Sequence, residues 1–123
     1  MAVVYTTAVK NARLDAVVTQ IGATGVLEVG TAGMASVLFS VSFDNPAGIT
    51  SGGVLTFSGF PKNTTASAAG TAAAARIRTA TGGTDIVTGL TVGTSGADVI
   101  VNTTTVASSD PVQVTSATIT HAA

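Results

Sequence analysis

Apolar residues recur at helical spacing in one stretch of the chain, Thr7 to Ile21. Val9, Ala12, Arg13, Ala16, Val17 and Ile21 fall on one side, leaving Lys10, Asn11 and Asp15 elsewhere on the cylinder. Thr6 or Thr7 can act as N-cap, and Gly22 is placed to stop the helix. The stripe is narrow and rich in alanine, which suits close packing on a sheet or on a neighbouring chain. A helix this short is marginal alone in water, so it needs a surface to lie on.

After Gly22 the period drops to two. Val26–Gly30 reads as a short strand. Ala35–Phe43 alternates most clearly, with Val37, Phe39, Val41 and Phe43 set against Ser36, Leu38, Ser40 and Ser42. Asp44-Asn45-Pro46-Ala47-Gly48 is a turn cluster. Gly53–Ser58 follows as a strand, and Phe60-Pro61-Lys62-Asn63 leads into a loop. Thr71–Thr79 combines an alanine run that favours helix with an alternation that places Arg76 and Arg78 on one face; the alternation makes it a strand. Thr81-Gly82-Gly83-Thr84 turns into a strand at Ile86–Val92, and Gly93–Asp98 turns again. Val99–Val101 and Thr103–Val106 are expected to pair around Asn102.

Ser108-Ser109-Asp110-Pro111 breaks the chain before a last strand, Val112–Thr120. Val112 and Val114 define one face there, and Ile119 sits at odd spacing from them. A β-bulge near Thr115-Ser116 would restore the phase. About eight short strands separated by regular turn signals are the pattern of a sandwich or barrel. With no helical crossover between them, the strands should be largely antiparallel. The expectation is a mainly β, single domain over residues 1–123, with an N-terminal helical segment at 1–22 and a β-sandwich at 23–123.

Charge changes this picture most. Only 9% of the residues are Asp, Glu, Lys or Arg, and the net charge is −1, against roughly 25% charged residues in ordinary soluble domains. Five basic side chains scattered singly offer no electrostatic footprint for nucleic acid. No apolar run is long enough to span a bilayer, and the start lacks the pattern of a secretory signal. Cysteine is absent, so no disulfide or thiolate metal site contributes. An exterior of Thr, Ser, Ala and Gly on a domain of near-zero net charge favours association. Uncharged edge strands are association sites. Some of this surface should be covered in the working state.

Candidate chemistry is sparse, and neither a catalytic residue nor a cofactor or metal ligand set is expected. Asp44, Asp85, Asp98 and Asp110 sit in turn clusters, where capping of the local backbone accounts for them. Glu28 can form a structural ion pair with Lys10, Arg76 or Arg78. The single histidine, His121, has none of the spacings of a triad or metal site. Ser95 sits in a glycine-flanked turn without the G-x-S-x-G pattern. Asn63-Thr64-Thr65 and Asn102-Thr103-Thr104 match the glycosylation sequon, a weak three-residue pattern. The phenylalanines alternate as core residues. Tyr5, Lys10, Arg13, Lys62, Arg76 and Arg78 are the candidate partner contacts, within the segment through Ile21, the loop Lys62–Ala69 and the arginine face.

Several phrases together resemble small virion proteins of tailed bacteriophages. They are Gly30-Thr31-Ala32-Gly33-Met34-Ala35, Gly53-Val54-Leu55-Thr56, Gly70-Thr71-Ala72-Ala73-Ala74-Ala75-Arg76-Ile77-Arg78, Gly89-Leu90-Thr91-Val92-Gly93-Thr94-Ser95-Gly96-Ala97-Asp98 and Val114-Thr115-Ser116-Ala117-Thr118-Ile119-Thr120. The likeness runs along most of the chain, and none of the phrases is a chemical motif. It implies a capsid decoration or cement protein with a β-sandwich or jelly-roll-like fold, commonly trimeric, bridging major capsid subunits. Made in the host cytoplasm, such a protein ends on the capsid surface. Neck, collar and tail-fibre proteins look similar, and a host glycan-binding module is the alternative of another class.

Overall fold

The computed structural model describes residues 4–44, 47–80 and 82–120. Helix α1 spans Thr7–Ile21. The strands are β1 Val26–Gly30, β2 Val37–Ser42, β3 Gly48–Ser51, β4 Val54–Phe57, β5 Lys62–Thr65, β6 Gly70–Thr71, β7 Ala74–Arg78, β8 Asp85–Gly93, β9 Val99–Val101, β10 Thr105–Val106 and β11 Pro111–Thr120. The protein is mainly β, with one α-helix ahead of the strands.

Hydrogen bonding joins nine strands into one curled mixed sheet, in the order β2-β1-β7-β8-β9-β11-β4-β3, with β5 also paired to β11. β6 and β10 form a separate two-residue ribbon. The expected antiparallel sandwich is thus met in part: the strand content and the helix are there, but the bonded unit is a single curled sheet. The curl brings β2 round to β5, where the Thr64 hydroxyl donates to the Ser40 carbonyl at 3.0 Å. Ser67 N–H donates to the Leu38 carbonyl at 2.7 Å just beyond.

Eight of the nine strand pairings are antiparallel, in line with a largely antiparallel expectation, and one is parallel. Val92 lies beside Val99 and Gly93 beside Ile100. Parallel neighbours ordinarily need a crossover of a dozen or more residues. Here Thr94–Asp98 suffices because the parallel ladder is two residues long, so the chain doubles back only a short way. Asp98 pins the return: its Oδ2 accepts from Thr91 N–H at 3.1 Å and from Thr91 Oγ1 at 3.2 Å, while its own N–H donates to Thr91 Oγ1 at 3.0 Å.

The inner face of the sheet is built from Leu27, Val29, Phe39, Leu55, Ile77, Val99, Val101, Val112 and Val114, all buried. Phe43 stacks on Phe57 with ring centroids 4.7 Å apart and leans towards Phe60. Phe39, Phe43 and Phe57 are core residues, as their alternation implied, and Phe60 is partly buried against the core. Leu38, on the opposite phase of β2 from Phe39, is also buried because the segment through Ser67 and Gly70 packs over it. In β11 the register shifts between Val114 and Ser116, so Val112, Val114 and Ala117 are all buried. This is the bulge that the spacing called for.

Helix α1 has the expected ends: Thr6 Oγ1 accepts from Val9 N–H at 3.4 Å, and Gly22 N–H donates to the Val18 carbonyl. Its buried side differs from the expected stripe. Leu14 and Ile21 are buried and Lys10, Asn11, Val17 and Val18 half-buried, whereas Val9, Ala12, Arg13 and Ala16 face outward. The helix lies against β3, β4 and β8. Asn11 Oδ1 accepts from Gly53 N–H at 3.0 Å, and Thr50 Oγ1 donates to Asp15 Oδ1 at 2.8 Å. These polar contacts fix the rotation that hydrophobic spacing alone left open. Gly25, between helix and sheet, has no room for a side chain, since a Cβ there would run into Ile21.

Three further expectations are corrected. Thr103–Val106 does not pair with Val99–Val101; Thr105 and Val106 pair with Thr71 and Gly70. Lys62–Ala69 is not a free loop, because its first half is β5, bonded along β11. A strand not anticipated, β3, precedes β4 as the first arm of a hairpin. Its two-residue turn is Gly52-Gly53, at φ 59° and 77°, the positive values that tight hairpin turns require.

Removing the Asp98 carboxylate should loosen the β8–β9 return. Asp98→Ala is expected to lower stability by about 1 kcal/mol, and Asp98→Asn by less, since the amide oxygen still accepts. Urea midpoints measure this, and an unchanged midpoint for the alanine variant would rule out the pinning role.

Candidate functional site

Among the described residues Glu28 is the one buried charged side chain, 6% exposed. The β1–β7 register sets it directly across from Arg76 and sets Val26 across from Arg78. On the far side of β7, Arg78 faces Asp85 of β8. Arg76 Nε donates to Glu28 Oε1 at 2.7 Å, and Arg78 Nη1 lies 3.6 Å from the same oxygen. Arg78 Nε is 3.0 Å from Asp85 Oδ1, yet its N–H has no aligned acceptor; that contact is Coulombic rather than a hydrogen bond. Two arginines two residues apart on one face repel unless a carboxylate opposes them. Glu28 does so for both, which makes the cluster a structural clamp between β1 and β7.

The remaining candidate contacts separate. At the N-terminal end, the Arg13 guanidinium lies 4.6 Å from the Tyr5 ring centroid. Val4 and Val9 stand 68% and 43% exposed in the same region. Lys10 points the other way, its aliphatic stem against Gly53. Lys62 Nζ sits 2.8 Å from Asp44 Oδ1 and 5.7 Å from the Phe60 ring centroid. The structure therefore brings together Tyr5 with Arg13 and Arg76 with Arg78, and places Lys10 and Lys62 apart from both. After β5, Ala66 and Ser67 are tied to Asp110, Ser109 and Leu38 by main-chain bonds, so that segment serves the fold.

Of the four turn aspartates, Asp98 and Asp110 cap local backbone as expected; Asp110 Oδ2 accepts from Ala107 N–H at 2.8 Å. Asp44 and Asp85 instead meet Lys62 and Arg78, a correction to the pure turn reading. The two Asn-Thr-Thr triplets meet on either side of Gln113, whose N–H donates to Asn102 Oδ1 at 3.0 Å and whose Nε2 donates to Asn63 Oδ1 at 3.3 Å. Asn63, Thr64 and Asn102 line, with Gln113, a shallow, uncharged cleft of about 280 Å³. Ser95 is exposed in its turn, and His121 lies outside the described residues. Among the described residues no three His, Cys, Asp or Glu side chains are placed to hold a metal ion, and no helix is long and apolar enough to cross a membrane.

One surface feature escaped the sequence reading. Ile49 on β3 is 71% exposed, the most exposed large apolar side chain described. The signal was available: a Gly-Gly dipeptide between two short apolar-polar alternations marks a hairpin, and Ile49 falls on its outer arm. Comparisons with protein-family models, curated proteins and solved structures returned no match.

The clamp predicts a graded response. Glu28→Ala removes the acceptor of the Arg76 Nε–H and the carboxylate that opposes both half-buried guanidinium groups, and should cost about 2–3 kcal/mol. Asp85→Ala, at an exposed pair, should cost under about 0.5 kcal/mol. Equal losses in denaturant unfolding would contradict the central position of Glu28.

Proposed function

We propose that this protein is a structural component of a tailed-phage virion that decorates or cements the capsid. In this reading it acts as a homo-oligomer, a trimer being the order the resemblance implies. It bridges major capsid subunits on the outer surface after synthesis in the host cytoplasm. The curled sheet serves as the β-sandwich-like scaffold of such proteins. The role is adhesive: it needs no catalytic group, cofactor, nucleic acid or membrane.

The observation that carries the reading is the character of the exterior. All six side-chain carboxylates are engaged inside the chain: Asp15 with Thr50, Glu28 with Arg76, Asp44 with Lys62, Asp85 with Arg78, Asp98 with Thr91 and Asp110 with Ala107. Among the described residues Arg13 is an exposed cation, and Asp44 and Asp85 stay partly exposed within ion pairs. The rest of the exterior is mostly hydroxyl, methyl and backbone, together with the exposed Val4, Tyr5, Val9 and Ile49. A surface with so little ionic solvation gains by being covered. Many copies on a lattice turn weak contacts into a firm attachment through avidity. Three of the five aromatics, Phe39, Phe43 and Phe57, are buried, which favours the adhesive reading over a glycan-binding platform.

Quantitative mass spectrometry of purified virions is the test. Hundreds of copies per particle are expected for a decoration protein. A handful of copies would move the protein to the neck or tail, and its absence from washed particles would overturn the structural role.

A further inference from the structure

The two ends of the main strand path are treated differently. At β2, the outward carbonyls of Leu38 and Ser40 are already taken by Ser67 and Thr64. At β3, no strand among the described residues pairs on the outer side. Gly48–Ser51 also lacks the usual protections of an edge: it has no charged residue, no proline, and an unbroken register with β4.

The hairpin register says which backbone groups point away from β4. Ser58 N–H donates to the Ala47 carbonyl, and Ser51 faces Val54 across the two-residue turn. In an antiparallel ladder bonded and non-bonded positions alternate. Ala47, Ile49 and Ser51 therefore direct their main-chain groups towards β4, and Gly48 and Thr50 direct theirs outward. The Thr50 side chain is held on the helix side by Asp15, which leaves Ile49 on the opposite face.

From this geometry we infer that β3 pairs edge to edge with β3 of a second copy, about a two-fold axis through Ile49. The inference rests on the proposal that copies of this chain assemble, and it names the surface. Antiparallel pairing that uses both outward residues matches Gly48 with Thr50 of the partner and Thr50 with Gly48 of the partner. That register alone puts Ile49 opposite its own counterpart, in a non-bonded pair, where side chains approach most closely. Any strand could satisfy the backbone; a second copy, in the register centred on Ile49, also sets an equivalent apolar side chain opposite it in an isologous contact. A ladder this short buries far less than a standard interface, so the pairing is weak in free solution and counts through repetition. In an assembly of trimers formed through another face, it links neighbouring trimers.

The test combines analytical ultracentrifugation with amide hydrogen exchange across a concentration series of the full chain, up to about 1 mM. Reversible dimerisation is expected, with the Gly48 and Thr50 amides gaining protection as dimer forms. Ile49→Lys, which sets two like charges face to face, should weaken dimerisation at least about tenfold, and Ile49→Thr should weaken it less. Both change an exposed side chain, and circular dichroism confirms that they fold. Self-association that is unaffected by Ile49→Lys, or that leaves those amides unprotected, overturns the edge pairing while assembly through another face stands. A chain that stays monomeric throughout overturns both.

Discussion

Docking α1 across β3, β4 and β8 takes Leu14 and Ile21 to 3% and 1% exposure, a burial that contributes roughly 1.5–3 kcal/mol for each side chain. A helix of 15 residues with no acidic side chain in its first turn and no basic one in its last has little stability of its own. Its order comes from the sheet, and the sheet gains in return a cover for the inner side of the β3–β4 hairpin. Asn11 and Asp15, one turn apart, are both bonded to that hairpin. Two polar contacts on one side of a cylinder fix its rotation. That rotation decides what the molecule shows outward, because it turns Val9, Ala12, Arg13 and Ala16 to solvent.

Scarce charge is placed with similar consequence. Glu28 joins β1 to β7 through Arg76, Asp44 meets Lys62 of β5, and Asp98 closes the unusual return from β8 to β9. In the β1–β7 case the ionic group reinforces an existing five-residue ladder, whereas Asp98 secures a parallel pair only two residues long. A carboxylate used this way adds specificity to the fold and contributes little to a charged, self-repelling exterior. The fold and the low-charge exterior on which the proposed adhesive role rests are thus two results of one allocation.

What the sequence made legible was local. The helix bounds, the Thr6 cap, β1, the Phe39–Phe43 alternation and the bulge after Val114 each rest on spacing within a few residues. The pairing of Glu28 with the arginine face needed only that both lie on strands. The rest depended on distant segments. Apolar and small residues are spread round α1, so Leu14 rather than Val9 became core only because the hairpin lay on that side. β3, β5, β6 and β10 are short and made largely of Thr, Gly, Lys, Asn and Ser; their strand character comes from β4, β11 and each other, not from any alternation of their own. The parallel β8–β9 pair was hidden because the turn that precedes it reads like a hairpin turn. The candidate surface followed the same divide: Tyr5 and Arg13 were named as candidate contacts, although Arg13 was set on the packing stripe, whereas Ile49 became conspicuous only once β3 proved to be an edge.

A difference between the two ends of the strand path bears on the proposed role. The chain occupies the β2 edge with Thr64 and Ser67, so a means of closing an edge exists within this fold. At β3 no equivalent is present among the described residues, although one lysine would serve. Long, flat, uncharged edges lead to uncontrolled aggregation, but β3 has four residues and ends in a tight glycine turn. An edge of that length is open enough for a matching copy and too short to hold it without help. In the proposed decoration role, in which copies remain dispersed until a shell is ready and then stay on it, this combination is the useful one. Each contact dissociates readily alone, while a lattice of fixed neighbours raises the effective concentration until the same contact persists.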